Sequence, residues 1–397
     1  MWRAAFAATL AAGMAASTFV QFFFGNLAPF LLDEFEVSRS RLGLLTTVAF
    51  VVGGLGSLPA GRLVDRLGGR RVLVGLLGLV IVATLGMALA PSFTAMLVGA
   101  GLAGGALAGC NPTTNKLIAD HLEPGERGWI VGIKQAGVQF GAFFTGAILP
   151  FTAVSLGWRW ALAVTIAVPA AAIAATLLLI PSGSGSLEEP RSSAGRTPLG
   201  STVWWMTAYA ALMGAGVAAI GAWIPLYAQE GVGLTVKSAG VLAAAIGVVG
   251  IASRVAWGWG TERIGQFSMP LAVMGLGSTI ASLLLMAAPG TGQWLLWVAA
   301  VLFGASAVTW NAVGMLAIVA EVDSDVAGTA SGMVLSGFYA GFVVSPILFG
   351  YSVDRTGGYV WGWGGIALVF FAATAVAVAW DVLRRKDPHM KVARAEA

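Results

Sequence analysis

Long apolar stretches alternate with short polar, charged or glycine-rich turns along nearly the whole chain. Most stretches reach the roughly 20 residues that an α-helix needs to cross the hydrocarbon core of a bilayer. In the first half, six spans are predicted at 5–31, 41–60, 71–90, 93–117, 128–152 and 158–180. In the second half, six more are predicted at 202–229, 238–258, 267–289, 293–319, 327–350 and 359–382. The pattern therefore predicts an all-α membrane protein with twelve transmembrane helices.

The segment between the sixth and seventh spans differs from both of its neighbours. From Pro181 to Pro198 it is rich in Ser, Gly and Pro and has no apolar periodicity. Such a composition is typical of a flexible tether. The chain is accordingly divided into an N-terminal six-helix bundle (1–180), a cytoplasmic linker (181–200), a C-terminal six-helix bundle (201–383) and a cytoplasmic tail (384–397).

The two halves repeat one another. A basic, glycine-rich turn runs from Gly61 to Arg71, and a degraded copy of it runs from Gly258 to Gly265. At a nearly equal offset, six residues of the first half fall on identical residues of the second: Gly104, Asn111, Gly128, Gly132, Gly137 and Gly141 on Gly304, Asn311, Gly328, Gly332, Gly337 and Gly341. Internal repeats of this kind predict two six-helix bundles related by a pseudo-two-fold axis, an architecture of transporters.

Composition excludes a water-soluble protein. Hydrophobic residues make up 58% of the chain and charged residues only 10%, whereas soluble domains carry about 25% charged residues. The net charge of +4 could suggest a nucleic-acid partner, but the basic residues lie in short loops rather than along a stripe. The expected partners are the lipid bilayer and a small solute, with no nucleic acid and with the protein as a monomer.

The distribution of basic residues predicts the orientation. Most of the 22 lysines and arginines fall in loops on the side of the turn at 61–71, and the positive-inside rule then places both termini in the cytoplasm. The first residues resemble a signal peptide, but their apolar run continues to about Leu32, so it is interpreted as the first transmembrane helix. The expected location is a bacterial-type cytoplasmic membrane.

Few residues could support metal or thiol chemistry. The single cysteine, Cys110, excludes an intrachain disulfide, and the two histidines fall in a loop and in the tail. We therefore expect no metal site, no cofactor and no enzymatic activity.

The turn at 61–71 resembles the signature loop of the major facilitator superfamily, and the resemblance extends over the whole chain. Six residues carry it: Gly61, Asp65, Arg66, Gly68, Arg70 and Arg71. The resemblance implies that the acidic residue and the arginines form a charge network that holds one conformation closed. Independently, an aspartate near a helix N-terminus is stabilised by the helix dipole, and its ion pairs can break as the halves rock. The alternative is that the basic cluster only fixes topology. The predicted conformational gate comprises Gly61, Asp65, Arg66, Arg70, Gly258, Glu262 and Arg263.

Arg254 lies within the eighth span. The run from Ser253 to Gly265 resembles the corresponding helix of oxalate/formate exchangers and monocarboxylate porters, which implies that this arginine binds the substrate carboxylate. A guanidinium stays charged and presents a planar fork that fits a carboxylate. The alternative is an arginine that snorkels to the membrane surface.

Lys134 is a second cation, within the fifth span. It shares a helix face with Val138, Gly141 and Thr145, a narrow strip of small or polar residues that suits a water-filled path. The alternative is an ordinary lysine at a helix end. Because neither cation has an acidic partner in its own span, an anionic substrate is the expected compensating charge.

Neutral polar residues complete the predicted substrate site, although interhelical hydrogen bonding is an equally reasonable role for each of them. The predicted substrate-binding residues are Arg254, Lys134, Gln135, Asn111, Asn311, Tyr339 and Gln21. Three further polar residues of the same spans are Asn26, Asn115 and Gln139.

The sequence thus predicts a secondary active transporter that moves a small organic anion, a carboxylate, by alternating access. The chain departs from the resembled branch in two places: Gly250 stands where monocarboxylate porters carry an acid, and the eleventh span has no second cation. The alternative function is efflux of drugs or hydrophobic compounds by proton antiport, but the run from Gly137 to Gly146 lacks the proline expected in such exporters. A static receptor or scaffold would not need the intact gate loop.

Overall fold

The computed structural model describes residues 2–122, 127–181, 200–322 and 327–386, and these residues form α-helices with no β-strand. The helices of the first half are α1 (Trp2–Thr18), α2 (Val20–Asn26), α3 (Ala28–Phe35), α4 (Arg39–Leu67), α5 (Gly69–Ala88), α6 (Phe93–His121), α7 (Arg127–Leu156), α8 (Trp158–Thr165) and α9 (Ala167–Leu179). The helices of the second half are α10 (Ser201–Glu230), α11 (Val236–Ile264), α12 (Ser268–Thr291), α13 (Trp294–Ala305), α14 (Trp310–Glu321), α15 (Ala327–Thr356) and α16 (Val360–Lys386).

These helices confirm the predicted membrane architecture. Eleven candidate spans in the described residues are long and apolar enough to cross a bilayer, and the bent pair α1–α2 supplies the twelfth. The predicted linker lies almost entirely outside the described residues, so its boundaries remain a prediction.

The first span is broken where the sequence predicts one continuous helix. Helices α1 and α2 meet at an angle of 50°. Just before the bend, the hydroxyl of Thr18 donates to the backbone oxygens of Met14 and Ala15 at 2.9 and 3.0 Å. Hydroxyl groups that bond to carbonyls of the preceding turn often bend helices.

The tenth span is also broken, and this break contributes to the candidate site. Helix α13 ends at Ala305 and α14 begins at Trp310. Between them, the hydroxyl of Thr309 donates to the backbone oxygen of Ala305 at 3.1 Å. The equivalent place in the first half lies within α6, which stays helical through Pro112. The break exposes backbone carbonyls that a continuous helix would have used internally.

The most extensive contacts between the halves are those of α7 with α11, α4 with α15, and α2 with α10. Glycine permits the closest approaches. A Cβ atom on Gly25 of α2 would lie 2.0 Å from the backbone oxygen of Gly221, and one on Gly43 of α4 would lie 2.7 Å from that of Pro346. Small residues replace the hydrophobic driving force that lipid does not provide between helices. The chain is therefore two six-helix bundles that pack along a shared interface.

Candidate functional site

A cavity of about 120 Å³ lies between the two bundles. Six of the seven predicted substrate-binding residues line it: Gln21, Asn111 and Gln135 from the first half, and Arg254, Asn311 and Tyr339 from the second. The structure therefore brings together residues that are far apart in sequence and that belong to both halves.

Arg254 of α11 is the cation in the cavity wall. Its Nη1 donates to the backbone oxygen of Gln135 at 3.2 Å, and its Nη2 donates to that of Val308 at 3.0 Å. Its Nε is buried without a hydrogen-bond partner. Among the described residues, no carboxylate pairs with this guanidinium, so neutral carbonyls hold it while its charge stays uncompensated.

The break between α13 and α14 provides one of those carbonyls. The backbone oxygen of Val308 accepts from Arg254 and also from Nε2 of Gln139, at 3.4 Å. Gln139 is 4% exposed and lines the same cavity. Gln139 is recognisable in the sequence as a polar residue of its span, whereas Val308 is not recognisable as a site residue, because only a helix break gives an apolar residue a free carbonyl. The hydroxyls of Ser306 and Thr309 lie at that break, but those of Thr113 and Thr114 make the same kind of bond within continuous α6, so the local sequence does not distinguish the two.

Lys134 of α7 has a different environment. It is fully buried, and its Nζ donates to Oδ1 of Asn111 at 3.0 Å and to Oδ1 of Asn115 at 2.6 Å. Asn111 lines the cavity and Lys134 does not. The ammonium group thus lies behind Asn111, one side chain away from the space that a substrate would occupy.

The rest of the cavity wall combines one unsatisfied amide with aromatic rings. Oδ1 of Asn311 is buried and has no hydrogen-bond partner. The ring of Tyr339 lies 5.8 Å from that of Phe50, and the ring of Trp310 lies 5.5 Å from that of Phe338. Such a wall offers a flat apolar surface beside a cation and a free polar group.

The first four predicted gate residues lie around Gly68. The segment 61–71, predicted as a turn, is helical on both sides of that glycine, because α4 continues to Leu67 and α5 begins at Gly69. Gly68 ends α4 with φ of 81°, a conformation that favours glycine. The guanidinium of Arg70 donates to the backbone oxygen of Leu177 at 2.8 Å and so ties α5 to α9 within the first half. Arg66 is exposed, and a Cβ on Gly61 would meet nothing within 4 Å. The side chain of Asp65 lies outside the described residues.

The other three predicted gate residues, Gly258, Glu262 and Arg263, lie in the second-half copy of this segment, near the end of α11. The guanidinium of Arg263 lies over the ring of Trp259, 3.7 Å from its centroid. A Cβ on Gly258 would meet nothing within 4 Å, and the side chain of Glu262 lies outside the described residues. A charge network across the two halves at this side therefore remains a prediction.

A cluster of polar residues that was not predicted from the sequence closes the side of the interface away from residues 61–71. We call this cluster the far-side lock, and its members are Arg39, Glu230, Asp354 and Tyr359. Nη2 of Arg39 pairs with Oε2 of Glu230 at 2.6 Å, and the hydroxyl of Tyr359 donates to the same oxygen at 2.5 Å. Burial and the bond to Glu230 raise the pKa of Tyr359 above its ordinary value. The sequence gives no local signal for this cluster, because its members are far apart in the chain.

Asp354 joins the halves within the same cluster. Its carboxylate accepts from the backbone nitrogens of Arg39 and Ser40 at 3.1 and 2.9 Å. It therefore caps the N-terminus of α4 from the C-terminal turn of α15, where the helix dipole favours a negative charge. The lock ties both halves together on the side away from the turn at 61–71.

Four of the interface helices have open space beside a glycine. A Cβ on Gly54 of α4, Gly132 of α7, Gly258 of α11 or Gly332 of α15 would meet nothing within 4 Å. Asn115, one turn beyond Asn111 on α6, is exposed. This arrangement indicates a cavity closed on the far side and accessible from the turn side.

Comparison with known proteins gives the family context. The family profile described as Major Facilitator Superfamily matches residues 9–335. A probable sulfoacetate transporter of Cupriavidus necator is 25% identical over 367 residues, which cover 84% of this chain and 83% of that protein. A gentisate transporter of Corynebacterium glutamicum is 23% identical, with 82% of this chain and 76% of that protein covered. A putative metabolite transport protein of Bacillus subtilis is 34% identical over 154 residues, which cover 38% of this chain and 32% of that protein.

Solved structures share the fold at low sequence identity. A bacterial homologue of the human lysosomal transporter Spinster, in an inward-facing and occupied conformation, superposes with a TM-score of 0.73 at 18% identity, and covers 95% of this chain and 96% of that one. A nucleoside transporter superposes with a TM-score of 0.74 at 14% identity, covering 94% of this chain and 99% of that one.

Proposed function

The chain belongs to the Major Facilitator Superfamily, and we propose that it is a secondary active transporter that moves a small organic anion by alternating access. The observation that carries this proposal is the guanidinium of Arg254, which lies in the wall of the central cavity and contacts backbone carbonyls of both halves. A buried cation that no described carboxylate neutralises calls for an anionic ligand. Several relatives are named as transporters of organic anions, among them sulfoacetate, gentisate and, in Pseudomonas putida, gallate.

The proposed binding mode follows from the chemistry of the wall. A carboxylate accepts two parallel hydrogen bonds from a guanidinium, which adds geometric selectivity to charge attraction. The guanidinium has five N–H donors and its two carbonyl partners use only two of them, so Nε and the second hydrogens of Nη1 and Nη2 remain for the anion. The aromatic rings beside Tyr339 then cover the apolar part of the substrate. Gln21 and Asn311 remain available for further polar contacts.

Two gates on opposite sides support alternating access. The far-side lock closes one side in the present structure. We propose that the signature loop, with Asp65, Arg66 and Arg70, closes the other side when the lock opens. By the positive-inside rule the turn side is the cytoplasm, so both termini are cytoplasmic and this state faces inward. The proposed site of action is a bacterial-type cytoplasmic membrane, with the protein as a monomer.

The experiment is uptake into proteoliposomes. Gentisate, gallate, sulfoacetate and nitrate are offered one at a time, together with gentisamide as a neutral analogue and ethidium as a hydrophobic cation. Uptake of at least one carboxylate well above protein-free liposomes, with no uptake of gentisamide, supports the proposal. Transport of ethidium and of no anion would replace it with efflux of hydrophobic compounds.

A further inference from the structure

The environment of Lys134 differs from that of a simple anion ligand. Its side chain is fully buried, yet both hydrogen-bond partners of Nζ are neutral amide oxygens, on Asn111 and Asn115. An ammonium has three N–H donors and a neutral amine has two. The two acceptors therefore satisfy every donor of the neutral amine but leave one donor of the ammonium without a partner.

The charged groups around this amine offer it no counter-ion. On α6, Cys110 is the buried titratable group close to Lys134. On α11, Arg254 donates to the backbone of Gln135, the residue that follows Lys134. No described charged residue faces it from α1, α2 or α8. Because arginine stays protonated and a buried lysine can lose its proton, the pair avoids two uncompensated charges only if the lysine gives up its proton.

Lys134 also lies between the cavity and the solvent. Asn111 lines the cavity, while Asn115, four residues later on the same face of α6, is exposed. One partner of the amine thus faces the substrate space, and the other faces the turn side. A proton can reach the amine from water on the turn side while the lock keeps the far side closed.

We propose that Lys134 is the proton-coupling residue of the transporter, and that one proton crosses the membrane with each monovalent anion. This inference rests on the proposed function, because the proton is exchanged in response to the anion held by Arg254. When the anion binds, the neutral amine takes a proton from a hydronium ion and leaves a water molecule. When the anion is released on the other side, the ammonium returns that proton to water.

Charge bookkeeping supports this stoichiometry. Without substrate, the site holds the positive charge of Arg254 and a neutral amine. With a monovalent anion and one proton bound, it holds Arg254, the ammonium and the anion, so its net charge is the same. The buried charge is then constant over the cycle, which avoids the cost of moving an uncompensated charge through lipid. Transport of a monovalent anion becomes electroneutral.

The test measures luminal pH with a trapped dye during uptake of gentisate or gallate into proteoliposomes. The wild type should acidify the lumen as it takes up anion, and an outside-acid gradient should raise its initial rate severalfold. Lys134→Arg, which keeps its charge, should show neither effect on whatever anion exchange it retains. Lys134→Gln is a second variant, with a neutral side chain, in which anion exchange is also measured. The matched control is Lys237→Arg, at the N-terminal turn of α11, which should behave like the wild type.

Three outcomes would overturn the inference. The first is wild-type uptake without luminal acidification. The second is proton movement in Lys134→Arg equal to that of the wild type. The third is complete loss of anion exchange in both folded variants even without a pH gradient, which would make Lys134 an anion ligand. Failure of the wild type to take up any anion is a separate result, because it rejects the proposed function itself.

Discussion

At the residue scale, two cations that look alike in the sequence have different environments. Both were predicted to be buried, because each lies several residues inside an apolar span, but depth alone does not determine which neighbours a side chain meets. The structure places Arg254 in the cavity wall and Lys134 behind Asn111. Lys134 meets the amide oxygens of Asn111 and Asn115, whereas Arg254 meets backbone carbonyls of Gln135 and Val308, and the local sequence does not specify these partners. The identity of the polar residues was predictable, and their hydrogen-bond partners were not.

The prediction at the residue scale concerns Arg254. Arg254→Lys keeps the charge but loses the fork that bonds to Gln135 and Val308 or to a carboxylate. Since hydrogen bonds to charged groups contribute about 1.5–3 kcal/mol, we expect carboxylate affinity to fall by about tenfold or more. Arg254→Gln should bind still more weakly. Binding to purified protein is the measurement, with Arg41→Lys as an exposed control; full affinity in both Arg254 variants would remove this residue from the site.

At the element scale, helix length was predicted well and helix continuity was not. Apolar runs of spanning length forecast the helices, since lipid requires every backbone group to be bonded within the segment. Proline was a poor guide to breaks, because Pro112, Pro150 and Pro346 all lie inside continuous helices. The breaks in the first and tenth spans occur beside Thr18 and Thr309, whose hydroxyls bond to backbone carbonyls, and the sixth span is interrupted between α8 and α9.

The packing of α4 against α15 gives the prediction at this scale. A Cβ on Gly43 would lie 2.7 Å from the backbone oxygen of Pro346, so Gly43→Ala must push the far ends of these helices apart. Gly54→Ala is the matched control on the same helix, where a Cβ meets nothing within 4 Å. With Cys110 replaced by alanine and a reporter cysteine at Ile224, Gly43→Ala should speed labelling by an impermeant thiol reagent from the far side. Equal labelling in the two variants would show that this contact does not hold the far side closed.

At the scale of the whole molecule, the fold and the shared cavity followed from the internal repeat. Duplicated halves predict an interface between bundles, and the site lies there, with residues from both halves. The far-side lock did not follow, because it joins residues from the ends of three separate helices and one loop. Ion pairs between loops depend on how the bundles are tilted, which no repeat encodes.

The prediction at the scale of the whole molecule concerns the far-side lock. Glu230→Gln removes the charge pair with Arg39, whose partially exposed geometry limits it to about 1 kcal/mol. Since two such states differ by only a few kcal/mol, the far-open population should rise severalfold. Glu34→Gln is the control, because Glu34 pairs with Arg159 inside one half at 2.8 Å. Labelling of the same reporter cysteine at Ile224 should increase in Glu230→Gln alone, and an increase in both variants or in neither would contradict the role of the lock.

The most direct test is an experimental structure of the protein with a transported carboxylate bound. We expect the two carboxylate oxygens to lie within about 3 Å of two different guanidinium nitrogens of Arg254, one oxygen to each nitrogen, as in other bidentate pairs. Nε of Arg254, which has no partner in the present structure, should be one of those two nitrogens. An anion bound away from Arg254 would contradict the assignment of this cavity as an anion site.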